Sequence, residues 1–232
     1  MDHKKIIGIL GGMGPAATVD LMGKIVKVAK VSRDQEHPRI IVDNNPKIPD
    51  RTTAILGKGP SPLPMMVQSA KLLEAAHVDF IIIPCVTAHY FYAKLQEQIA
   101  TPILHIVKET VKYLQLRYPD AKKVGLIASS GTVHSGLFAE TCIAANLELI
   151  APSSENQTTK VMKAVYDIKA TGPSDATTTL VRDAAEALIV NGAQVIIAGC
   201  TEIPLVLVDG DIAVPVVDPL TVLAERAAME AR

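Results

Sequence analysis

The sequence predicts an α/β protein made of two similar lobes, each containing a parallel sheet. Short runs of β-branched residues alternate with segments of helical spacing, which is typical of parallel strands joined by right-handed helical crossovers. The order of motifs also repeats along the chain. KKIIGILGGMG (4–14) is echoed by KKVGLIASSGT (122–132), and FIIIPCVTAHY (80–90) is echoed by VIIAGCTEIPL (195–205). We therefore predict two Rossmann-like lobes related by a pseudo-two-fold axis, with the site in the cleft between them.

The first lobe is predicted to occupy residues 1–107. Its first apolar run is broken at Gly8 and Gly11, so we interpret it as a strand and not as a signal peptide. The stretch 46–64 is rich in proline and is predicted to be one long loop, of the kind that often binds ligands. The expected elements are strand 4–10, helix 15–31 with Pro15 in its first turn, strand 38–45, helix 65–76, strand 80–84, helix 88–99 and a short strand or turn at 101–107. This last segment leads into helix 108–117, which is predicted to begin the second lobe.

The second lobe is predicted to occupy residues 108–215, and the last helix, 216–232, is predicted to pack back on the first lobe. A polar stretch, 153–178, is expected to contain a helix at 157–168 and the loop KATGPSD. The other expected elements are a strand within 121–132, helix 134–145, strand 147–152, helix 179–190, a strand within 193–204 and a short segment at 213–220 that matches 101–107.

The composition excludes several classes of partner. The chain has 232 residues, a net charge of −1 and no Trp, which argues against a nucleic-acid interface and against a polybasic membrane patch. No apolar run reaches the length of a transmembrane helix. Three cysteines without an export signal favour a cytoplasmic protein with free thiols. We therefore expect a small-molecule ligand, no nucleic acid and no membrane.

Cys85 and Cys200 both end predicted strands, where ligands of parallel α/β sheets bind. If a pseudo-two-fold axis relates the lobes, the two thiols face each other across one cleft. A position at a helix N-terminus is expected to lower a thiol pKa from about 8.5 towards ~7. One thiolate can then remove a proton from one face of a carbon while the other thiol delivers a proton to the opposite face. Such a pair inverts a stereocentre.

Several motifs resemble those of the aspartate/glutamate racemases, a family that is independent of pyridoxal phosphate. They are GGMGPAAT (11–18), PDRT (49–52), PCVTAH (84–89), SSGT (129–132) and GCTEIP (199–204), and they span nearly the whole chain. The resemblance implies an isomerase that needs no cofactor, with Cys85 and Cys200 as the two bases. Aspartate is the leading substrate and glutamate the next, and we also expect a homodimer.

The resemblance further implies the residues that bind the dicarboxylic amino acid. Arg51 would bind one substrate carboxylate, and Lys169 matches a second recognition position. The other residues expected to line the site are Met13, Thr87, Thr132, Thr201 and Glu202.

Some residues of the expected site stay open on the sequence alone. Val86 stands where the family usually has Asn, so the amide that could donate to the substrate or order the thiol is missing. His89 could be catalytic, could orient a neighbour or could simply cap a helix. Glu202 could bind substrate, polarise a thiol or cap a turn. Cys142 is interpreted as packing, and no Cys/His cluster has the spacing of a zinc site, so no metal is expected.

Two alternatives belong to other functional classes. GMGPAA (12–17) follows a strand and opens a helix, as in a dinucleotide-binding oxidoreductase, and Asp43 ends the second strand. However, Pro15 removes an N–H donor near the phosphate position, and this hypothesis leaves both cysteines unexplained. The other alternative is a non-catalytic two-lobed binding protein, which would have a ligand cleft but no need for paired thiols.

Overall fold

Parallel strands alternate with helices along residues 4–232, the part of the chain that the computed structural model describes. Residues 1–3, which begin the predicted first lobe, lie outside the described residues. The strands are β1 (Ile7–Gly11), β2 (Ile40–Asn44), β3 (Phe80–Ile82), β4 (Lys123–Ile127), β5 (Glu148–Ile150), β6 (Val195–Ala198) and β7 (Val216–Val217).

Helices connect these strands. They are α1 (Pro15–Ala29), α2 (Arg51–Ile55), α3 (Leu63–Ala75), α4 (Tyr92–Gln96), α5 (Ile106–Arg117), α6 (Ser130–His134), α7 (Leu137–Ala144), α8 (Ser154–Asn156), α9 (Lys163–Thr171), α10 (Asp175–Val190) and α11 (Pro219–Glu230). Short 3-10 turns occupy Asp34–Glu36, Thr87–Phe91 and Ile203–Leu205, and a π-helical turn occupies Gln157–Met162.

The first sheet has the strand order β2-β1-β3, and its strands are parallel. Ile81 on β3 also bridges to Ile103, with hydrogen bonds from Ile81 N to Pro102 O (2.8 Å) and from Leu104 N to Ile81 O (2.9 Å). The segment around Ile103 therefore acts as a fourth, minimal strand beside β3.

The second sheet has the order β5-β4-β6-β7 and is also parallel. Its edge strand β7 lies beside β6 as the segment around Ile103 lies beside β3, and Ile196 N donates to Pro215 O at 2.9 Å. The two sheets thus share one strand order. The predicted α/β class, with two similar lobes built on parallel sheets, is confirmed.

The central strands β1 and β6 are covered on both faces. Every residue of β1 and β6 is buried, which is the pattern expected of strands in parallel sheets. Fully burying one Ile or Leu side chain contributes about 1.5–3 kcal/mol, so these strands anchor the loops at their ends.

Two compact units divide the chain. One takes the described residues up to Glu109 and adds Leu220–Arg232, and the other is Thr110–Pro219. Helix α11 therefore belongs to the first unit, where Lys5 N donates to Ala231 O at 3.2 Å and Arg226 lies 3.5 Å from the carboxylate of Glu109.

The prediction of one long loop at 46–64 is wrong, because one helix lies within this range and another begins before its end. Helix α2 forms within it because the Asp50 side chain accepts a hydrogen bond from Thr53 N at 2.7 Å and so caps the first turn. Helix α3 begins at Leu63, directly after Pro62.

Three helix boundaries in the second unit also differ from the prediction. The expected helix 134–145 is split, because Gly136 adopts φ 71° and separates α6 from α7. Ser129 caps α6, so the SSGT stretch begins a helix before the expected start at residue 134. The loop KATGPSD shrinks to residues 172–174, because Ser174 and Thr177 form a reciprocal capping box at the start of α10.

Two further helices differ in form. The expected helix 88–99 is a 3-10 turn followed by α4, which ends at Gln96. The expected helix 157–168 is longer, because α8, the π-helical turn and α9 follow one another without a break from Ser154 to Thr171.

Among residues 4–232, no helix combines the length and the apolarity that a membrane crossing requires.

Candidate active site

Cys85 and Cys200 occupy equivalent positions on their own sheets. Ile81 pairs with the first glycine of β1, and Ile196 pairs with the glycine of β4. Cys85 follows Ile81 by four residues, and Cys200 follows Ile196 by four residues. Each thiol therefore stands the same distance along an equivalent strand, beyond the carboxyl edge where ligands of parallel sheets bind.

Short 3-10 turns, and not long helices, follow both cysteines. The carbonyl of Cys85 accepts from Ala88 N at 3.2 Å, and that of Cys200 accepts from Ile203 N at 3.0 Å. Cys85 is only 6% exposed, whereas Cys200 is partly buried. The turns fix the backbone at each thiol but lack the extended dipole of a long helix.

His89 holds the backbone of Cys85 and not its sulfur. Its Nδ1 lies 3.0 Å from Cys85 O, and its Nε2 accepts from Ile106 N at 3.3 Å. Because Nε2 accepts, the proton of the neutral ring sits on Nδ1 and is donated to the Cys85 carbonyl. Burial lowers the pKa of His89 from 6.5 to about 4, so the ring is neutral at physiological pH. Of the roles left open by the sequence, these contacts favour orientation.

Val86 and Thr87 follow Cys85 into the same turn. Val86 is 3% exposed and Thr87 is 8% exposed. Beside the first thiol the chain therefore presents a buried apolar side chain at the position where an amide was expected.

Arg51 is held by three carbonyl oxygens. Its Nη1 donates to Pro49 O (3.0 Å) and Ile48 O (3.3 Å), and its Nη2 donates to Met13 O (3.3 Å). Nε is buried and has no hydrogen-bond partner among residues 4–232. The guanidinium is thus fixed in orientation while part of its donor capacity is unused. Met13 is itself buried in the core of the first unit.

The second thiol belongs to a polar cluster. Cys200 Sγ donates to Glu202 Oε2 at 2.9 Å, and Thr201 Oγ1 donates to the same oxygen at 3.2 Å. Lys169 Nζ, at the end of α9, lies 3.8 Å from Glu202 Oε1. The second unit therefore brings together four residues predicted for the site.

The predicted lowering of the Cys200 pKa is wrong. Burial and the neighbouring Glu202 carboxylate raise the pKa of the Cys200 thiol well above its usual value, and Lys169 only partly opposes them. The prediction assumed that Cys200 stands at the N-terminus of a helix. The chain instead continues into a single 3-10 turn, and the thiol contacts the carboxylate of Glu202.

Thr132 lies in α6 at the end of β4 and is 1% exposed. Its Oγ1 is 3.2 Å from Ser129 Oγ, and the turn it belongs to is braced by Gln157, whose Nε2 donates to Ala128 O at 2.9 Å. Gln157 was not predicted to support this region. No local pattern marks it, because its partner lies 29 residues earlier in the chain.

The profile of the Asp/Glu/Hydantoin racemase family matches residues 10–227. The chain belongs to this family.

Relatives of this racemase-family chain align with almost all of its length. It is 29% identical over 228 residues to the broad specificity amino-acid racemase RacX of Bacillus subtilis (strain 168), covering 95% of each chain. The Picrophilus torridus aspartate racemase superposes with a TM-score of 0.82 and 28% identity, covering 98% of this chain and 94% of that one. The glutamate racemase of Francisella tularensis, in complex with D-glutamate, shares the fold with a TM-score of 0.70 and 18% identity, covering 99% and 80%.

The glycine turn after β1 shows how the racemase-family chain departs from a dinucleotide-binding protein. Gly12 N donates to Thr18 Oγ1 at 3.0 Å, so this N–H already has a partner within the chain. Gly12 adopts φ 92°, and a Cβ there would lie 2.2 Å from the backbone of Asn45. The turn is packed against the end of β2, which leaves it poorly suited to receive a phosphate.

Cys142 stands apart from these residues. It is fully buried on α7, and burial raises the pKa of its thiol to about 11, as expected of a packing residue. Among residues 4–232, no group of three or more His, Cys, Asp or Glu side chains is arranged to hold a metal ion.

Proposed function

We propose that this chain is a cofactor-independent amino-acid racemase in which Cys85 and Cys200 act as the two bases. The observation that carries the proposal is the equivalent placement of the two thiols. Each cysteine lies four residues after an isoleucine, Ile81 or Ile196, that pairs with a glycine on the central strand of its sheet. Membership of the racemase family supports the same reaction.

The reaction needs two linked proton transfers. One thiolate takes the α-proton, and the electron pair of the C–H bond remains on the α-carbon and its carboxylate. The opposite thiol then gives its proton to the other face of the same carbon, which yields the mirror-image amino acid. Hydrogen bonds to the carboxylate stabilise the carbanion. The hydroxyls of Thr87 and Thr132 are the proposed donors, and that of Thr201 becomes a donor only if it turns away from Glu202 Oε2, to which it donates in this structure.

Aspartate is the proposed leading substrate, with glutamate next. Arg51 supports a carboxylate-binding role, since three carbonyls fix its guanidinium and Nε has no partner among the described residues. The Picrophilus relative is named an aspartate racemase, which agrees with this choice.

The decisive experiment is proton NMR in D₂O with L-aspartate and no added cofactor. We expect the α-proton signal to disappear and D-aspartate to form. Cys85→Ser and Cys200→Ser should each abolish racemisation, because the relay needs a thiol on both faces, while Cys142→Ser should stay within about a few-fold of wild type. Exchange with no amino acid would favour the binding-protein alternative.

A broader substrate range is the second candidate. Val86 is buried beside Cys85 and its side chain offers no hydrogen bond, and the Bacillus relative is a broad specificity racemase.

The substitution Val86→Asn distinguishes the two candidates. If an amide is missing from an aspartate site, Val86→Asn should raise kcat/KM for aspartate at least about ten-fold.

If Val86 instead shapes a less polar pocket, Val86→Asn should weaken activity on alanine or methionine and help aspartate little. Assays of both proteins with aspartate, glutamate, alanine and methionine separate these outcomes. A variant that matches wild type on every substrate would show that position 86 does not contact the substrate.

A further inference from the structure

Cys200, Glu202 and Lys169 form a chain of polar contacts inside the second unit. One carboxylate oxygen of Glu202 accepts the Cys200 thiol at 2.9 Å, and the other lies 3.8 Å from Lys169 Nζ. The Glu202 side chain is 12% exposed and that of Lys169 is 44% exposed. Solvent therefore screens the ammonium more than it screens the carboxylate.

A carboxylate in this position favours the protonated thiol for two reasons. It accepts the S–H hydrogen bond, which only the protonated thiol can donate. It also repels the negative charge of a thiolate at the same place. Lys169 acts in the opposite sense, but more weakly, and its side chain is more exposed to solvent than that of Glu202.

We propose that Glu202 is a positioning residue that holds a proton on Cys200, so that Cys200 enters the catalytic cycle as the acid of the pair. The inference rests on the proposed racemase function and assigns each thiol its starting role. Cys85 receives the α-proton, and the Cys200 S–H bond breaks as the new C–H bond forms on the opposite face. The thiolate left on Cys200 is then opposed by Glu202, which favours its reprotonation. The starting state returns when Cys85 gives its proton to solvent and Cys200 takes one from solvent, or when the reaction runs in reverse.

The test measures where Cys200 loses its proton. Wild type and Glu202→Gln are alkylated with iodoacetamide from about pH 6 to about pH 11, and the rate at Cys200 is followed by mass spectrometry of its peptide. Glutamine keeps the size and an acceptor oxygen but removes the charge. We expect the midpoint for Cys200 to fall by at least about one pH unit, because a neighbouring charge shifts a pKa by that order. An unchanged midpoint would overturn the proposal.

Two further variants separate charge coupling from a general loosening of the site. Lys169→Met should move the midpoint for Cys200 alkylation to higher pH, since it removes a charge that favours the thiolate. If it accelerates alkylation as Glu202→Gln does, the effect is one of access and the proposal fails. Glu186→Gln, an exposed glutamate on α10, is the matched control and should leave the midpoint unchanged.

The alkylation readout needs no substrate, so its failure is distinguishable from failure of the racemase itself. An active racemase whose Cys200 midpoint ignores Glu202 contradicts the role of Glu202 alone. A chain that shifts its midpoint but racemises no amino acid contradicts the proposed function, and with it the catalytic part of this inference.

Discussion

Arg51 shows at the scale of a single residue how the fold and the proposed site depend on the same side chain. Its contacts with Ile48, Pro49 and Met13 tie the start of α2 to the glycine turn after β1. The same contacts aim a planar guanidinium, which can bind a carboxylate through two parallel hydrogen bonds. Loss of this residue should therefore affect both stability and substrate binding, and the two effects must be measured separately.

We predict that Arg51→Lys lowers kcat/KM for the preferred amino acid by roughly ten- to a hundred-fold, the equivalent of about 1.5–3 kcal/mol for a charge-assisted contact. Lysine keeps the charge but loses the fork geometry. Steady-state kinetics give the effect on binding, and the Tm of each variant gives the effect on the fold. An unchanged kcat/KM in Arg51→Ala would remove Arg51 from the carboxylate site.

At the scale of elements, local sequence signals account for the strands better than for the helices. Runs such as VIIA predicted β6 because β-branched residues suit a strand buried on both faces. Helix α2 was missed because proline before and after it suggested a loop, although Asp50 is a good N-cap. The split at Gly136 and the capping box at Ser174 are decided by single residues within otherwise helical patterns.

The candidate site was predictable in position but not in electrostatics. The repeated motifs predicted that Cys85 and Cys200 lie at equivalent strand ends, because the order and spacing of the strands can be recognised from local sequence patterns. The direction of the Cys200 pKa shift was not predictable, since burial and Glu202 reverse the effect expected of a helix terminus. The hydrogen bond that fixes the tautomer of His89 comes from Ile106, 17 residues away.

The glycine turn between β1 and α1 provides a test at this scale. We predict that Gly12→Ala lowers the free energy of unfolding by at least about 3 kcal/mol, since it adds both a disfavoured φ and a clash with backbone. An alanine Cβ would lie 2.2 Å from the carbonyl carbon of Asn45, which belongs to the main chain and cannot move aside cheaply. Urea unfolding gives the measurement.

Gly57→Ala is the matched control for this prediction. Gly57 also has a positive φ, 69°, but a Cβ there would meet nothing within 4 Å. Gly57→Ala should lower the free energy of unfolding only by the cost of a positive φ for alanine, about 1–2 kcal/mol. Equal losses in the two variants would show that the contact with Asn45 does not restrict position 12.

For the whole molecule, the buried His89 and the partly buried His105 make stability depend on pH. Burial lowers the pKa of His89 to about 4, and burial together with His89 and Lys108 lowers that of His105 to about 3, from 6.5. The unfolded chain therefore binds protons more readily than the folded one below pH 6.5. Stability should be complete above that pH and should fall as the pH drops from 6.5 towards about 4, by about 3 kcal/mol for His89.

Denaturant titrations at a series of pH values check this expectation. His89→Gln should be less stable than wild type at neutral pH and should show a shallower loss of stability towards pH 4. His134 is exposed on α6, so His134→Gln should keep the wild-type slope. A wild-type stability that is flat across this range would mean that the rings of His89 and His105 are not held neutral.

The return of α11 to the first unit affects how the protein can be assembled on the ribosome. Thr110–Pro219 forms one uninterrupted unit, whereas the unit begun earlier lacks Leu220–Arg232 until synthesis has passed the other. The part made first is thus the part finished last, which reverses the usual N-to-C order of domain folding. A chain ending at Asp218 should therefore keep amide protection in β4 and β6 but lose it in β1 and β3. Hydrogen exchange would detect this, and full protection of β1 in the shortened chain would show that α11 is dispensable for the first unit.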